Sequence, residues 1–188
     1  GEHRPGVEDE ILFVSVVYFG NVKGILTART LLTALMPQQG GPAQNLELYQ
    51  KVLAYDSLGG QEAREQLLQA AVSVANSDVT SELKQDFFSV ARGAMQEEID
   101  RHPEDARLQL FMGSFLNSFG RSGEALSYLE YAHELSPKKQ LVFFEIGSSY
   151  LTLQDYAKAL ASFKEAFDLA PEYREARIIY IIGALYAG

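Results

Sequence analysis

Along almost the whole chain, apolar residues return every three or four positions, and no stretch alternates in the two-residue rhythm of a strand. Residues 22–36 carry Ile25, Leu26, Ala28, Leu31, Leu32 and Leu35 at helical spacing. The breaker Pro37-Gln-Gln-Gly-Gly-Pro42 interrupts them, and residues 43–56 resume with Leu46, Tyr49, Val52, Leu53 and Tyr55 until Leu58-Gly59-Gly60 stops the helix. Gln61 to Asn76 predicts a third helix through Leu67, Leu68, Ala71, Val72 and Val74. Thr80 or Ser81 then caps a longer one that runs through Leu83, Phe87, Phe88, Ala91, Ala94, Met95 and Ile99 to about Arg101, where Pro103 ends it.

Beyond that proline the pattern itself repeats. Pro103, Pro137 and Pro171 are spaced 34 residues apart. Between them Gly113 and Gly147 recur in a first helix and Ala125 and Ala159 in a second. Leu129 and Phe163, Ala132 and Ala166, and a Leu-small-Pro ending follow in the same register. The first unit predicts helices from about Ala106 to Phe119 and from Ser122, a candidate cap, to Leu135. The second predicts Gln140 to Leu153, then a helix capped by Asp155 that continues to Leu169. Glycine costs about 1 kcal/mol against alanine in a helix interior. Two in register therefore imply a packing role, the close approach of paired helices.

Residues 103–171 resemble tetratricopeptide repeats, through Gly113, Ala125, Leu129, Ala132 and Pro137 and again through Gly147, Tyr150, Tyr156, Ala159, Phe163, Ala166 and Pro171. The aromatic expected near the start of each first helix is Gln109 in one unit and Phe143 in the other, so the first unit departs from the pattern. The departure implies that this unit packs on something irregular, the 79–101 helix being the nearest candidate. The resemblance implies an all-α fold, a right-handed solenoid of antiparallel helix pairs with about 7–10 helices. A third unit reaches only its first helix, Arg174 to Ala187, which is apolar nearly all round. Either the natural protein continues, or another molecule covers that helix, which makes self-association through residues 174–187 an expectation.

Residues 1–10 read as a charged tail, followed by the apolar run Ile11–Phe19. That run is shorter than the roughly 20 residues a membrane span needs, and acidic rather than basic residues precede it. It fits a buried helix or strand, or the trailing end of a membrane helix. The chain thus divides into a tail with an apolar segment (1–21), a degenerate helical hairpin (22–57), a helical pair (58–102), and two repeats with a partial third (103–188). A second resemblance covers nearly all of it. Gly20-Asn-Val-Lys-Gly, Ala28-Arg-Thr-Leu-Leu, Asn45 to Asp56 and Gly60 to Leu67 look like the repeat-bearing C-terminal tail of bacterial O-antigen ligase or polymerase-like membrane proteins. This resemblance implies a soluble fragment attached to a membrane parent and leaves open which side of the membrane it occupies. The parent family's glycan-transfer reaction is not implied for this stretch, because its membrane helices perform it.

Composition narrows the chemistry. The chain has 47% apolar and 22% charged residues, as folded proteins do. Its net charge of −9 argues against a nucleic-acid partner, which needs a basic face. Residues 1–100 hold 14 acids and 7 bases, and 101–188 hold 11 and 9, so the repeat half is nearly neutral. Cysteine is absent, which removes thiolate nucleophiles and cysteine metal sites. His3, His102 and His133 lack metal-ligand spacing and read as surface residues, and Glu97, Glu98 and Asp100 read as a solvated face. No nucleophile elbow or phosphate-binding glycine loop occurs, so neither a catalytic residue nor a cofactor is expected.

The candidate site is the inner face of the first helices, a peptide-binding groove. The family's inner positions fall on Arg107, Leu110, Ser114 and Asn117, on Leu141, Phe144, Ser148 and Leu151, and on Glu175, Ile178, Ile182 and Leu185. Repeats that clamp a terminal carboxylate display Lys, Arg and Asn there. This set is mostly apolar or small, and predicts a partner presenting an apolar helix or extended segment. A chain neighbour, or a second helix completing the third unit, could equally fill it. The expected function is a non-catalytic interaction scaffold. The competing class is an accessory or catalytic domain acting on carbohydrate, motivated only by the second resemblance.

Overall fold

Ten α-helices make up the described part of the chain, residues 7–18, 22–57 and 59–188 of a computed structural model. They are α1 (Val7–Val17), α2 (Lys23–Ala34), α3 (Gly41–Ala54), α4 (Gly60–Ala75), α5 (Ser81–Arg101), α6 (Ala106–Ser118), α7 (Ser122–Leu135), α8 (Gln140–Thr152), α9 (Tyr156–Leu169) and α10 (Arg174–Ala187). No strand occurs among the described residues. The expectations for the tail 1–6, including His3, and for the stop at residue 58 lie outside them. The helices group into two compact units, one up to Ala94 and one from Met95.

Caps explain several helix starts. Thr80 Oγ1 accepts from the Leu83 N–H at 3.3 Å, Asp105 from the Arg107 N–H at 2.8 Å, and Asp155 from the Lys158 N–H at 3.2 Å. Two expectations need correction. Ser122 is not the cap of α7; Arg121 occupies that place without a side-chain bond, and Ser122 lies inside the first turn, buried. Helix α3 begins at Gly41, so Pro42 belongs to its first turn rather than to the breaker. Proline is at home there, where its missing N–H has no helical partner. The turns that join α6 to α7 and α8 to α9 share one conformation. Gly120 (φ +70°) and Gln154 (φ +62°), 34 residues apart, both stand in the left-handed region.

In the first unit α2 packs on α3 and α3 on α4. Leu31, Leu46, Tyr49, Val52, Leu67, Ala71 and Phe87 are buried there. Two polar ties hold these helices together. Asn45 Nδ2 donates to the carbonyls of Ala34 and Met36, satisfying acceptors at the end of α2, and Arg64 Nε donates to the Ala94 carbonyl at 3.0 Å from a buried position. Helix α1 answers the question left by the apolar run only in part. It is helical, but Ile11, Leu12, Val14, Val16 and Val17 are exposed, so the burial expected of a core segment is not found.

The second unit stacks the pairs α6–α7 and α8–α9, with α7 against α8 and α10 against α9. Glycine decides the spacing within it. A Cβ at Gly113 would stand 2.5 Å from Leu129 Cγ, and one at Gly147 only 2.3 Å from Phe163 Cε1. The opposite edge of the same ring meets α10, where a Cβ at Gly183 would come within 2.6 Å of Phe163 Cδ2. Phe163 therefore fills a slot with a glycine on both sides. Removing a buried phenylalanine side chain of this kind costs roughly 3–5 kcal/mol.

Candidate functional site

The first helices of the second unit, α6, α8 and α10, carry the predicted inner positions, and α6 contacts α8 directly. Arg107, Leu141 and Ser148 are exposed, and Phe144 and Leu151 half-buried. Glu175, Ile178, Ile182 and Leu185 are exposed along α10. Leu110 is 2% exposed and belongs to the core rather than to a binding face.

Ser114 and Asn117 are held by a residue that sequence reasoning missed. Glu145 Oε1 accepts from Ser114 Oγ at 2.9 Å, while its other carboxylate oxygen and its carbonyl each accept from Asn117 Nδ2 at 3.0 Å. Ser149, also missed and fully buried, donates through Oγ to Asn117 Oδ1 at 2.8 Å. The four side chains form a polar latch between α6 and α8. Hydrogen bonds to an ionised group are stronger than neutral ones. The latch therefore fixes the angle of the two helices and puts a negative charge in the middle of the face. An acid in the otherwise apolar stretch Leu141–Ile146 was the available signal.

The remaining candidate groups are structural. Glu98 departs from the expected solvated cluster: it is buried, with Arg101 at 3.5 Å and His102 at 3.7 Å, whereas Glu97 and Asp100 are exposed. His102 is exposed as expected. His133 is not a surface residue in the expected sense, since its Nδ1 is buried without a partner and its ring packs on Phe143 at 4.8 Å. Gln109, in place of the usual aromatic, is buried and donates to the Pro103 carbonyl at 2.9 Å, so a polar turn contact replaces ring packing. Asp155 and Lys158 form an exposed pair at 3.0 Å. The hydrogen bond from Lys158 holds the Asp155 carboxyl below its ordinary value, and the carboxylate holds the lysine above its own.

A cleft of about 480 Å³ in the first unit, missed by sequence reasoning, lies among Met36, Asn45, Tyr49, Gln66, Ser73 and Phe87. Its lining contains no carboxylate, histidine, lysine or arginine. Tyr49, whose phenol is pushed up by burial, is its one titratable group, which leaves no acid–base pair for catalysis. Among the described residues no cluster of three potential ligands could hold a metal, and no helix is long and apolar enough to cross a membrane.

Comparison with known proteins agrees with this architecture. Tetratricopeptide-repeat family models match residues 79–139 and 142–173. Residues 79–139 and 142–173 carry tetratricopeptide repeats. The first match starts at Val79, ahead of Pro103, and so takes in α5. Among solved structures, the chain is similar to a thermophilic tetratricopeptide-repeat protein, TTC0263 of Thermus thermophilus. They share 22% identity and a TM-score of 0.64 over 75% of this chain and 72% of that one. It is also similar to MamA from Desulfovibrio magneticus RS-1, at 16% identity and a TM-score of 0.60 over 87% and 90%. At these identities the likeness establishes the fold, an all-α solenoid of helix pairs. No curated protein sequence matches the chain.

Proposed function

We propose that the chain is a non-catalytic scaffold that holds the apolar segment of a protein partner against the α6–α8 face of its repeats. Repeats of this class support protein interaction as their general role, and Glu145 makes the reading specific. Its carboxylate occupies Ser114 and Asn117, the two polar side chains that could have bound a ligand's terminal carboxylate, and its charge would repel one. Leu141, Phe144, Ser148 and Leu151 remain for contact, with Arg107 exposed at one edge. Their chemistry suits an internal apolar segment rather than a free acidic end.

Panning a random-peptide display library on the folded chain tests this. Enrichment of apolar peptides with no preference for a free C-terminus is expected, with binding lost in Phe144→Asp and weakened in Arg107→Glu. Unchanged capture by both variants would remove the α6–α8 face from the account.

The resemblance of residues 20–67 to the tails of O-antigen ligase-like bacterial membrane proteins motivates the wider setting: a domain organising a membrane glycan-transfer parent. Helix α1 supports it. Its exposed apolar side chains resemble the lipid-facing surface of a membrane-proximal segment more than a core helix. Flotation of the chain with phospholipid vesicles, lost in a variant carrying Leu12→Glu and Val16→Glu, is the expected result. Absence of flotation would count against a membrane-proximal α1.

A further inference from the structure

We propose that a second copy of this chain covers α10, the two helices packing antiparallel about a two-fold axis. Helix α10 buries Ala176 and Gly183 toward α9 and exposes Ile178, Ile181, Ile182 and Leu185 on the other side, at 42, 52, 42 and 78%. These four form a stripe about 100° wide, the width of a core-facing helix surface.

What occupies the stripe is constrained by register. Gly113 and Gly147 mark the place where a second helix of the repeat approaches its first, and a Cβ at either would collide with Leu129 or Phe163. The residue 34 positions beyond Gly147 is Ile181. A helix packed as α7 is on α6, or α9 on α8, does not fit against that side chain. An occupant at wider spacing, meeting large aliphatic side chains with its own, does.

A second α10 satisfies both conditions. Run antiparallel, Ile178 meets the second copy's Leu185, while Ile181 and Ile182 flank the axis, each beside its own counterpart, so one stripe is complementary to itself, as a two-fold interface requires. Arg174 and Arg177 in the first turn come alongside the carbonyl end of the opposite helix, whose last turn carries no basic residue. A parallel arrangement would instead place those arginines against each other. With its rim, the stripe offers roughly 500 Å² per protomer, near the lower limit for a specific pair, so a weak, concentration-dependent dimer is expected. The α6–α8 face takes no part in it. Phe144→Asp should therefore abolish peptide capture without changing mass, and Ile182→Asp the reverse.

Sedimentation equilibrium of the full chain between about 1 and 100 µM tests the proposal. The average mass should rise from 20.9 kDa toward twice that value. Ile178→Lys and Leu185→Glu, each checked for an unchanged circular dichroism spectrum, should stay monomeric alone. An equimolar mixture of the two variants should regain the dimer, because the introduced ammonium of one then faces the introduced carboxylate of the other across the axis. A wild-type mass fixed at 20.9 kDa throughout would overturn the proposal. So would a dimer that persists in both single variants, or a mixture that fails to pair while the wild type dimerises.

Discussion

The glycine slot around Phe163 gives a test in which one chemical change should have opposite signs at two positions. Gly147→Ala and Gly93→Ala each add a methyl group inside a helix, and each gains about 0.5–1 kcal/mol of intrinsic helix preference. At Gly93 nothing lies within 4 Å of the new Cβ, so that gain should appear undiminished. At Gly147 the Cβ would stand 2.3, 2.5 and 2.9 Å from three atoms of the Phe163 ring, against an ordinary carbon contact of about 3.5–4 Å. The ring cannot retreat, because Gly183 closes the slot behind it. Overpacking of this kind costs roughly 1–3 kcal/mol, so the substitution should be neutral to destabilising by about 2 kcal/mol. The two variants should differ by about 1–3 kcal/mol. Urea unfolding followed by circular dichroism reads the difference as opposite shifts of the midpoint, with each unit's transition fitted separately if two are resolved. Gly147→Ala in a Phe163→Leu background should cost less than it does alone, a coupling that marks direct contact. Equal stabilisation by Gly147→Ala and Gly93→Ala would refute the slot.

Ser122→Ala should leave the protein as stable as before or up to about 1 kcal/mol more so, because the buried hydroxyl has no hydrogen-bond partner. A cap would have given the opposite sign in the same urea titration. Gln154→Gly should stabilise by about 0.5–1 kcal/mol, since Gln154 stands at φ +62° in the register of Gly120, and thermal unfolding checks it. Glu145→Ala should cost about 1–3 kcal/mol by stranding Ser114 and Asn117, whereas Glu145→Gln should retain part of the latch. The cap and ion pair at Asp155 should also leave a mark on the pH dependence. The lowered Asp155 value gives stability that is present above the ordinary carboxylate pKa of 3.8 and lost as pH falls through the lower folded value. The raised Lys158 value gives stability present below 10.5 and lost as pH rises through the higher folded value. Asp155→Asn should flatten the acid limb of a stability–pH curve, and an unchanged limb would rule out the carboxylate's part in it.

The architecture was legible in the sequence because repeats declare themselves locally. A 34-residue interval, glycine and alanine in fixed register, and an Asp ahead of an apolar run follow from helix geometry and hydrogen-bond counting within a few residues of each other. That is why the helices of the repeats, the Asp155 cap and the close approach at Gly113 and Gly147 could be read directly. Periodicity says which side of a helix is apolar, but not what lies against that side. Leu110 shares a helical face with Arg107 and Ser114, yet the packing buries Leu110 and leaves Arg107 exposed. Ser122 has the residue type of a cap, and the turn shifted the helix start by one residue. The latch joins Asn117 to Glu145 and Ser149 across 28 and 32 residues, and nothing in either segment alone brings them together. Only tertiary packing settled that Ser114 and Asn117 are turned to structure, and that Phe163 is held by a second glycine on α10. The sequence determined the scaffold by local rules of spacing. Which side chains remain exposed was decided by contacts between helices, which those rules do not encode.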